Sequence, residues 1–278
     1  MENENDMSLK NKTIAFLGAG NMGEALIRGL LTAKTIMPSQ IIATDVRPER
    51  LGDLAKTFGI RTAGDNVKAV ADADIVLLAV KPQQMSAVLA PLKSAAIVRK
   101  LFISIAAGVT TARIEGELGG KARVVRVMPN TPALVGAGAA ALAKGSNATD
   151  DDLATAEAIL GAVGITVRVE ERLIDAVTAL SGSGPAYVFY VTEAMIKAGV
   201  AAGLDEALAK KLAIQTVYGA AKLLVESGEE PDLLRRKVTS PGGTTEAALK
   251  VMGERKLTEI FTEAIKAAEQ RSRELSGS

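Results

Sequence analysis

The sequence predicts a doubly wound parallel α/β sheet in its first half and an all-helical second half. Three observations carry this. Short apolar runs alternate with stretches of helical spacing up to about residue 170, the first run stops at a glycine-rich turn, and no convincing strand follows Glu171.

The elements follow in order. Thr13–Leu17 (TIAFL) reads as the first strand, and Met22–Leu31 has helical spacing. Ile41–Thr44 is a second strand, followed by a charged helix from Pro48 to Phe58. Ile75–Val80 (IVLLAV) is continuous and apolar, as in a strand covered on both faces, and a helix from Gln83 to Lys93 follows. Leu101–Ala106 and Val124–Met128 are further strands, separated by a short helix near Thr111–Leu118. Ala139–Ala143 and Ile165–Val169 add edge strands around a helix from Asp150 to Leu160, for which Thr149 and Asp152 form a capping box.

In the second half Leu173–Leu180, Pro185–Ala202 and Asp205–Val225 read as helices, with Pro185 in a first turn and Asp205 as an N-cap. The last helix carries an i, i+3, i+4 stripe of Leu257, Ile260, Phe261, Ala264, Ile265 and Ala268. The middle helices are apolar on more than one face, and Ala194, Ala198, Gly199, Gly219, Ala220 and Ala221 let helices approach closely. That surplus suggests an oligomer interface, or else burial within one chain. Residues 1–8 and Ser276–Ser278 read as loose ends.

Composition removes whole classes of function. The 278 residues include no cysteine and no histidine, which excludes disulfides, Cys/His zinc sites, catalytic triads and imidazole acid–base chemistry. A net charge of +1 leaves no electrostatic footprint for nucleic acid. The polar, acidic start is not a signal peptide, and no apolar run approaches the roughly 20 residues that span a bilayer. The expectation is a cytoplasmic protein with no membrane partner. Its chemistry must come from carboxylates, Lys, Arg, Tyr, hydroxyls, backbone or a borrowed cofactor.

Gly18-Ala19-Gly20-Asn21-Met22-Gly23 is G-x-G-x-x-G, placed directly after a strand and opening a helix. Gly18 permits the tight turn, Gly20 lets backbone approach a pyrophosphate, and Gly23 lets helix pack on strand. The helix start offers free N–H groups to the anion. Asp45 ends the second strand, where an acid commonly binds the ribose 2′-hydroxyl of NAD and repels the 2′-phosphate of NADP. Arg47 could pair with that phosphate instead, or be a solvated loop charge. The two signals oppose each other. The carboxyl ends of the later strands bring Val80, Lys81 and Pro82, then Ala106, Ala107 and Gly108, then Met128-Pro129-Asn130-Thr131 to the ligand edge of such a sheet. Spacing alone favours a surface charge for Lys81 and an ordinary Pro-Asn turn for the last block. Ser181–Pro185 reads as a flexible breaker before a long helix. Ser240-Pro241-Gly242-Gly243-Thr244-Thr245 precedes a helix over Glu246–Met252; its exposed amides suit a carboxylate, and Thr244 or Thr245 could cap the helix.

Six blocks in this order, GAGNMGEAL from Gly18, AVKPQ from Ala79, SIAAGV from Ser104, RVMPNTPALV from Arg126, LSGSGPAYV from Leu180 and VTSPGGTTEAA from Val238, resemble pyrroline-5-carboxylate reductases from about Thr13 to Leu275. The resemblance implies an N-terminal Rossmann-like α/β domain, here residues 9–170, and an all-α C-terminal substrate and dimerisation domain, residues 171–275. It implies an oxidoreductase of proline biosynthesis that reduces the imine 1-pyrroline-5-carboxylate to L-proline with NADPH or NADH, working as a homodimer or an assembly of dimers. It implies a cofactor lined by Gly18 to Gly23, Asp45, Arg47, Asn66, Ala79 to Pro82 and Ala106 to Gly108. It places substrate against Met128, Asn130, Ser181, Ser183, Ser240, Gly242, Gly243, Thr244 and Thr245, with the Thr245 hydroxyl near the ring nitrogen as the catalytic group and no metal. Members preferring NADPH often carry a neutral or phosphate-friendly residue where Asp45 stands, so the resemblance implies NADPH or NADH without choosing between them. A hydroxyacid reductase of similar shape would rely on a lysine where these loops stand, and a nucleotide sensor would not need the Ser240–Thr245 loop.

Overall fold

The computed structural model describes residues 9–94 and 97–277. Residues 1–8 and Ser278, read as loose ends, lie outside the described residues, whereas Ser276 closes the terminal helix Leu257–Ser276.

One eight-stranded sheet organises the first half, in the order β3-β2-β1-β4-β5-β6-β7-β8. The strands are β1 (Ile14–Leu17), β2 (Ile41–Thr44), β3 (Arg61–Thr62), β4 (Ile75–Leu78), β5 (Leu101–Ser104), β6 (Arg123–Met128), β7 (Gly138–Lys144) and β8 (Gly164–Arg168). Side chains alternate between two cores, as strands covered on both faces require. Ile14, Phe16, Ile75, Leu77, Leu101 and Ile103 enter one. Ala15, Leu17, Val76, Leu78 and Phe102 enter the other.

Two sequence expectations change at the far end of the sheet. β7 is not an edge strand, because β8 lies beyond it, and it pairs antiparallel with β6. The link from β6 to β7 is residues 129–137, a short turn around the 3₁₀ segment Thr131–Val135. That is too short for the crossover a parallel neighbour needs. The next link contains the helix Asp150–Leu160, and β8 is accordingly parallel to β7. Its capping box forms as read: Thr149 Oγ1 accepts from the Asp152 amide at 3.2 Å, and the Asp152 carboxylate accepts from the Thr149 amide at 2.9 Å.

The stretch expected as one helix from Gln83 to Lys93 is a single α-turn, Met85–Leu89, between 3₁₀ segments Pro82–Gln84 and Ala90–Ser94. Pro91 withholds the amide that a continuous helix would use at that turn. The strands expected to reach Val80 and Ala106 stop at Leu78 and Ser104, which frees Ala79, Val80, Ile105 and Ala106 for loops. The segment Ser181–Pro185 is not a flexible loop. It runs from a π-turn, Thr178–Gly182, into the helix Gly184–Ala201.

By compactness the chain divides into two units, residues up to Ser183 together with Ala268 onward, and Gly184–Ala267; the sequence reading drew one cut, after residue 170. The last turns of the terminal helix are fixed within the first unit, where Ser272 Oγ donates to the buried Asp175 carboxylate at 2.6 Å. The second unit is helical. Glu206–Ser227 starts at Asp205, whose carboxylate accepts from the Leu208 amide at 2.9 Å. It packs on Gly184–Ala201, and Gly199 makes the approach: a Cβ there would come within 3.3 Å of Ala209 Cβ. Large apolar side chains of these helices nonetheless face outward, including Phe189, Tyr190, Leu212 and Tyr218, and so do Leu257 and Ile260 of the terminal stripe. Among the described residues no helix is long and apolar enough to cross a membrane.

Candidate active site

Strand order reverses on either side of β1, so the crevice beside it lies at the carboxyl ends of β1, β2 and β4. Gly18, Asp45 and Ala79 are the residues just past those ends. The glycine turn is shaped by two demands. Gly18 has φ +90, and a Cβ on it would stand 2.7 Å from the Ala79 carbonyl oxygen, so the turn lies directly on the end of β4. Around Gly20, by contrast, a Cβ would meet nothing within 4 Å. Gly20 is also the N-cap of the helix Asn21–Thr32 and supplies no capping side chain, which leaves the first-turn amides of Asn21, Met22 and Gly23 for an incoming anion. An open cradle with free amides fits a dinucleotide pyrophosphate.

The second strand closes over this turn. Asp45 Oδ2 accepts from the Ala19 amide at 3.2 Å, and Asp45 Oδ1 accepts from the Arg47 amide at 3.0 Å and Arg47 Nε at 2.9 Å. Burial opposes ionisation of Asp45, but the hydrogen bonds from Arg47 and Ala19 outweigh it, and its carboxyl is held below the usual value. Sequence reasoning missed the rest of the clamp. Arg50 Nε donates to the Ala19 carbonyl at 2.9 Å, and its guanidinium pairs with Glu24, which also receives Arg28. The Arg50 hydrogen bond is the main cause that lowers the Glu24 pKa. The Glu24–Arg28 spacing of four was a legible signal, but nothing local pointed from Arg50 to Ala19, 31 positions away. Asn66 stands at the start of the helix Asn66–Ala71, and its Oδ1 accepts from the buried Thr44 hydroxyl at 2.7 Å.

The other cofactor candidates fall at the same sheet edge. Ala79 and Val80 are half-buried past β4, Lys81 is exposed before the 3₁₀ turn that Pro82 opens, and Ala106 to Gly108 follow β5. Past β6 the structure brings Met128, Asn130 and Ser181 together. Asn130 Nδ2 donates to the Ser181 carbonyl at 3.0 Å, and its Oδ1 accepts from the Ala139 amide at 2.9 Å. Ser181 Oγ donates to the Val177 carbonyl at 3.1 Å. These groups hold the π-turn to the end of β6, while Ser183 is half-buried at its close.

The remaining candidates belong to the second unit. The helix there is Thr244–Glu254, longer than expected, and its N-cap is Gly243. Thr244 and Thr245 therefore sit in the first turn and do not cap it. Gly242, at φ +71, donates its amide to Glu246 Oε2 at 2.8 Å, and the Gly243 amide donates to the Ser240 carbonyl at 3.0 Å. No partner among the described residues takes the half-buried Thr245 hydroxyl. A groove of about 840 Å³ adjoins this loop, lined by Arg235, Thr239, Gly242, Gly243 and Glu246 among others. The first-turn amides of Thr244 and Thr245 have no partner among the described residues and suit a carboxylate ligand, with Arg235 and Glu246 both lining the groove beside the loop.

Comparison with known proteins agrees with both halves. Residues 171–275 match the family model described as pyrroline-5-carboxylate reductase dimerisation, and residues 13–108 match that of coenzyme F420-dependent NADP oxidoreductases. A pyrroline-5-carboxylate reductase of Methanosarcina acetivorans is 47% identical over 96% of this chain and 99% of its own length. Among solved structures, a pyrroline-5-carboxylate reductase from Coxiella burnetii superposes with a TM-score of 0.91 at 41% identity, covering 95% of this chain and 98% of its own. The Plasmodium falciparum pyrroline carboxylate reductase with NADP bound gives 0.84 at 31% identity, covering 96% and 98%.

Proposed function

The chain belongs to the pyrroline-5-carboxylate reductase family, and from that premise we propose how its own residues divide the work. The reaction is reduction of 1-pyrroline-5-carboxylate to L-proline by hydride transfer from NAD(P)H, the final step of proline biosynthesis. The match to reductases along 96% of the chain carries this conclusion.

The bound nicotinamide supplies the hydride, which is why a chain without histidine or cysteine suffices. The turn Gly18 to Gly23 takes the pyrophosphate on the free amides of Asn21, Met22 and Gly23, and Asp45, with Arg47, faces the adenosine ribose. Asn66, Ala79 to Pro82 and Ala106 to Gly108 line the rest of the cofactor. The Ser240–Thr245 loop receives the substrate carboxylate on the first-turn amides of Thr244 and Thr245, while Gly242 and Gly243, whose amides go to Glu246 and Ser240, shape the loop around it. Thr245 offers its unengaged hydroxyl to the ring nitrogen as that atom's charge changes. Met128, Asn130, Ser181 and Ser183 border the substrate, Asn130 and Ser181 through the backbone they fix. Residues 9–170 serve as the dinucleotide-binding domain and 171–275 as the substrate and dimerisation domain.

The working form is a homodimer or an assembly of dimers. The outward aromatic and aliphatic faces of Gly184–Ala201 and Glu206–Ser227 support this, and so does the match to a dimerisation model. Light scattering is expected to give at least twice the chain mass of 28.8 kDa; a monomer at micromolar concentration would contradict it. We place the enzyme in the cytoplasm with small-molecule partners; its near-neutral charge offers no electrostatic footprint for nucleic acid.

Activity is tested at the nicotinamide absorbance band. Purified protein oxidises NADH or NADPH only when 1-pyrroline-5-carboxylate is present. Folded protein that binds cofactor and leaves the imine unreduced would be a nucleotide sensor.

A further inference from the structure

We propose that Asp45 makes this chain select NADH over NADPH, which rests on the cofactor site proposed above. The sequence sets an acid against an arginine at the end of β2, and the structure shows how the contest is arranged. The Asp45 side chain is 8% exposed and is fixed from three directions, by the Ala19 amide, the Arg47 amide and the Arg47 guanidinium. Its negative charge is therefore built into the turn that receives the adenosine ribose. A 2′-hydroxyl can donate to such a carboxylate, whereas a 2′-phosphate dianion meets like charge in a poorly solvated place.

Both nearby arginines are already committed. Arg47 lies on Asp45 through Nε at 2.9 Å and a terminal nitrogen at 3.3 Å. To reach a phosphate it would have to leave that carboxylate without its counter-charge, held by the two backbone amides alone. Arg50 is held by the Ala19 carbonyl and by Glu24. Glu49, in the first turn of the helix Pro48–Phe58, adds negative charge where a phosphate would otherwise find a helix start. Asp45 stays ionised through neutral pH because its hydrogen bonds hold its pKa low, so the discrimination does not fade there.

The test uses binding as well as turnover. Calorimetry on the whole purified chain compares ADP-ribose with 2′-phospho-ADP-ribose, neither of which carries the reacting ring. The wild-type protein is expected to bind ADP-ribose at least tenfold more tightly, about 1.4 kcal/mol. In Asp45→Asn the amide retains the bond from Ala19 and releases Arg47, and the ratio is expected to fall at least tenfold. The kcat/KM ratio for NADH over NADPH should move in parallel. Equal or tighter binding of the phosphorylated ligand to the wild type would overturn the proposal and leave the reductase reading standing. Binding of neither ligand would overturn the cofactor site and the proposal together.

Discussion

Thr245→Ala lowers turnover by about ten- to a hundredfold, while Thr245→Ser retains most of it. The magnitude follows from the hydrogen bond at stake: one made to a charged group is worth about 1.5–3 kcal/mol, and each ~1.4 kcal/mol is a factor of ten in rate. Thr245 lies in the first turn of Thr244–Glu254 with its hydroxyl unengaged by any described residue. Removing it breaks no internal hydrogen bond, so the melting temperature should hardly move. Serine keeps the oxygen at the same position and loses only a methyl group. The loss should fall on kcat more than on KM, because the carboxylate is held by the neighbouring amides rather than by this hydroxyl. Equal turnover of Thr245→Ala and wild type would remove Thr245 from the mechanism.

Gly20→Ala and Gly18→Ala should fail in opposite ways. A Cβ at Gly20 meets nothing within 4 Å, and the backbone there is extended at φ −69, so folding stability should change by less than about 1 kcal/mol. Yet that space is where a pyrophosphate must approach the backbone, and cofactor affinity should fall about tenfold or more. At Gly18 the added Cβ stands 2.7 Å from the Ala79 carbonyl oxygen at φ +90, and the protein should lose about 2–4 kcal/mol before any ligand is added. Thermal melts with cofactor titrations by nicotinamide fluorescence separate the two. Unchanged affinity in Gly20→Ala would contradict the placement of the phosphates.

The sequence made the sheet legible because buried strands need unbroken apolar runs. Ile41–Thr44 and the helices Pro48–Phe58 and Asp150–Leu160 fall where they are read. β3 was not legible, since Arg61 and Thr62 are exposed and carry no apolar signal. The six-residue helix Asn66–Ala71 is too short for periodicity, and its one signal was Asp65, whose carboxylate caps the Val67 amide at 2.7 Å. The helix Pro231–Lys237 offered its proline at the first position and little else. The direction of β7 depends on the length of a link, not on the strand's own residues. The glycine turn and the Ser240–Thr245 loop were legible because local backbone geometry dictates their composition. The engagement of Arg47 by Asp45 and of Arg50 by Ala19 was not, because a charge in a sequence does not reveal what it pairs with.

This chain carries hydride from a nicotinamide to the imine carbon of 1-pyrroline-5-carboxylate, C2 of the pyrroline ring and C5 of the proline formed. The most direct measurement supplies cofactor deuterated at the transferable position of the ring and reads the product by mass spectrometry and NMR. The expected result is L-proline with one deuterium, at C5, formed in step with cofactor oxidation. Cofactor oxidation without proline, or proline without deuterium at C5, would contradict it.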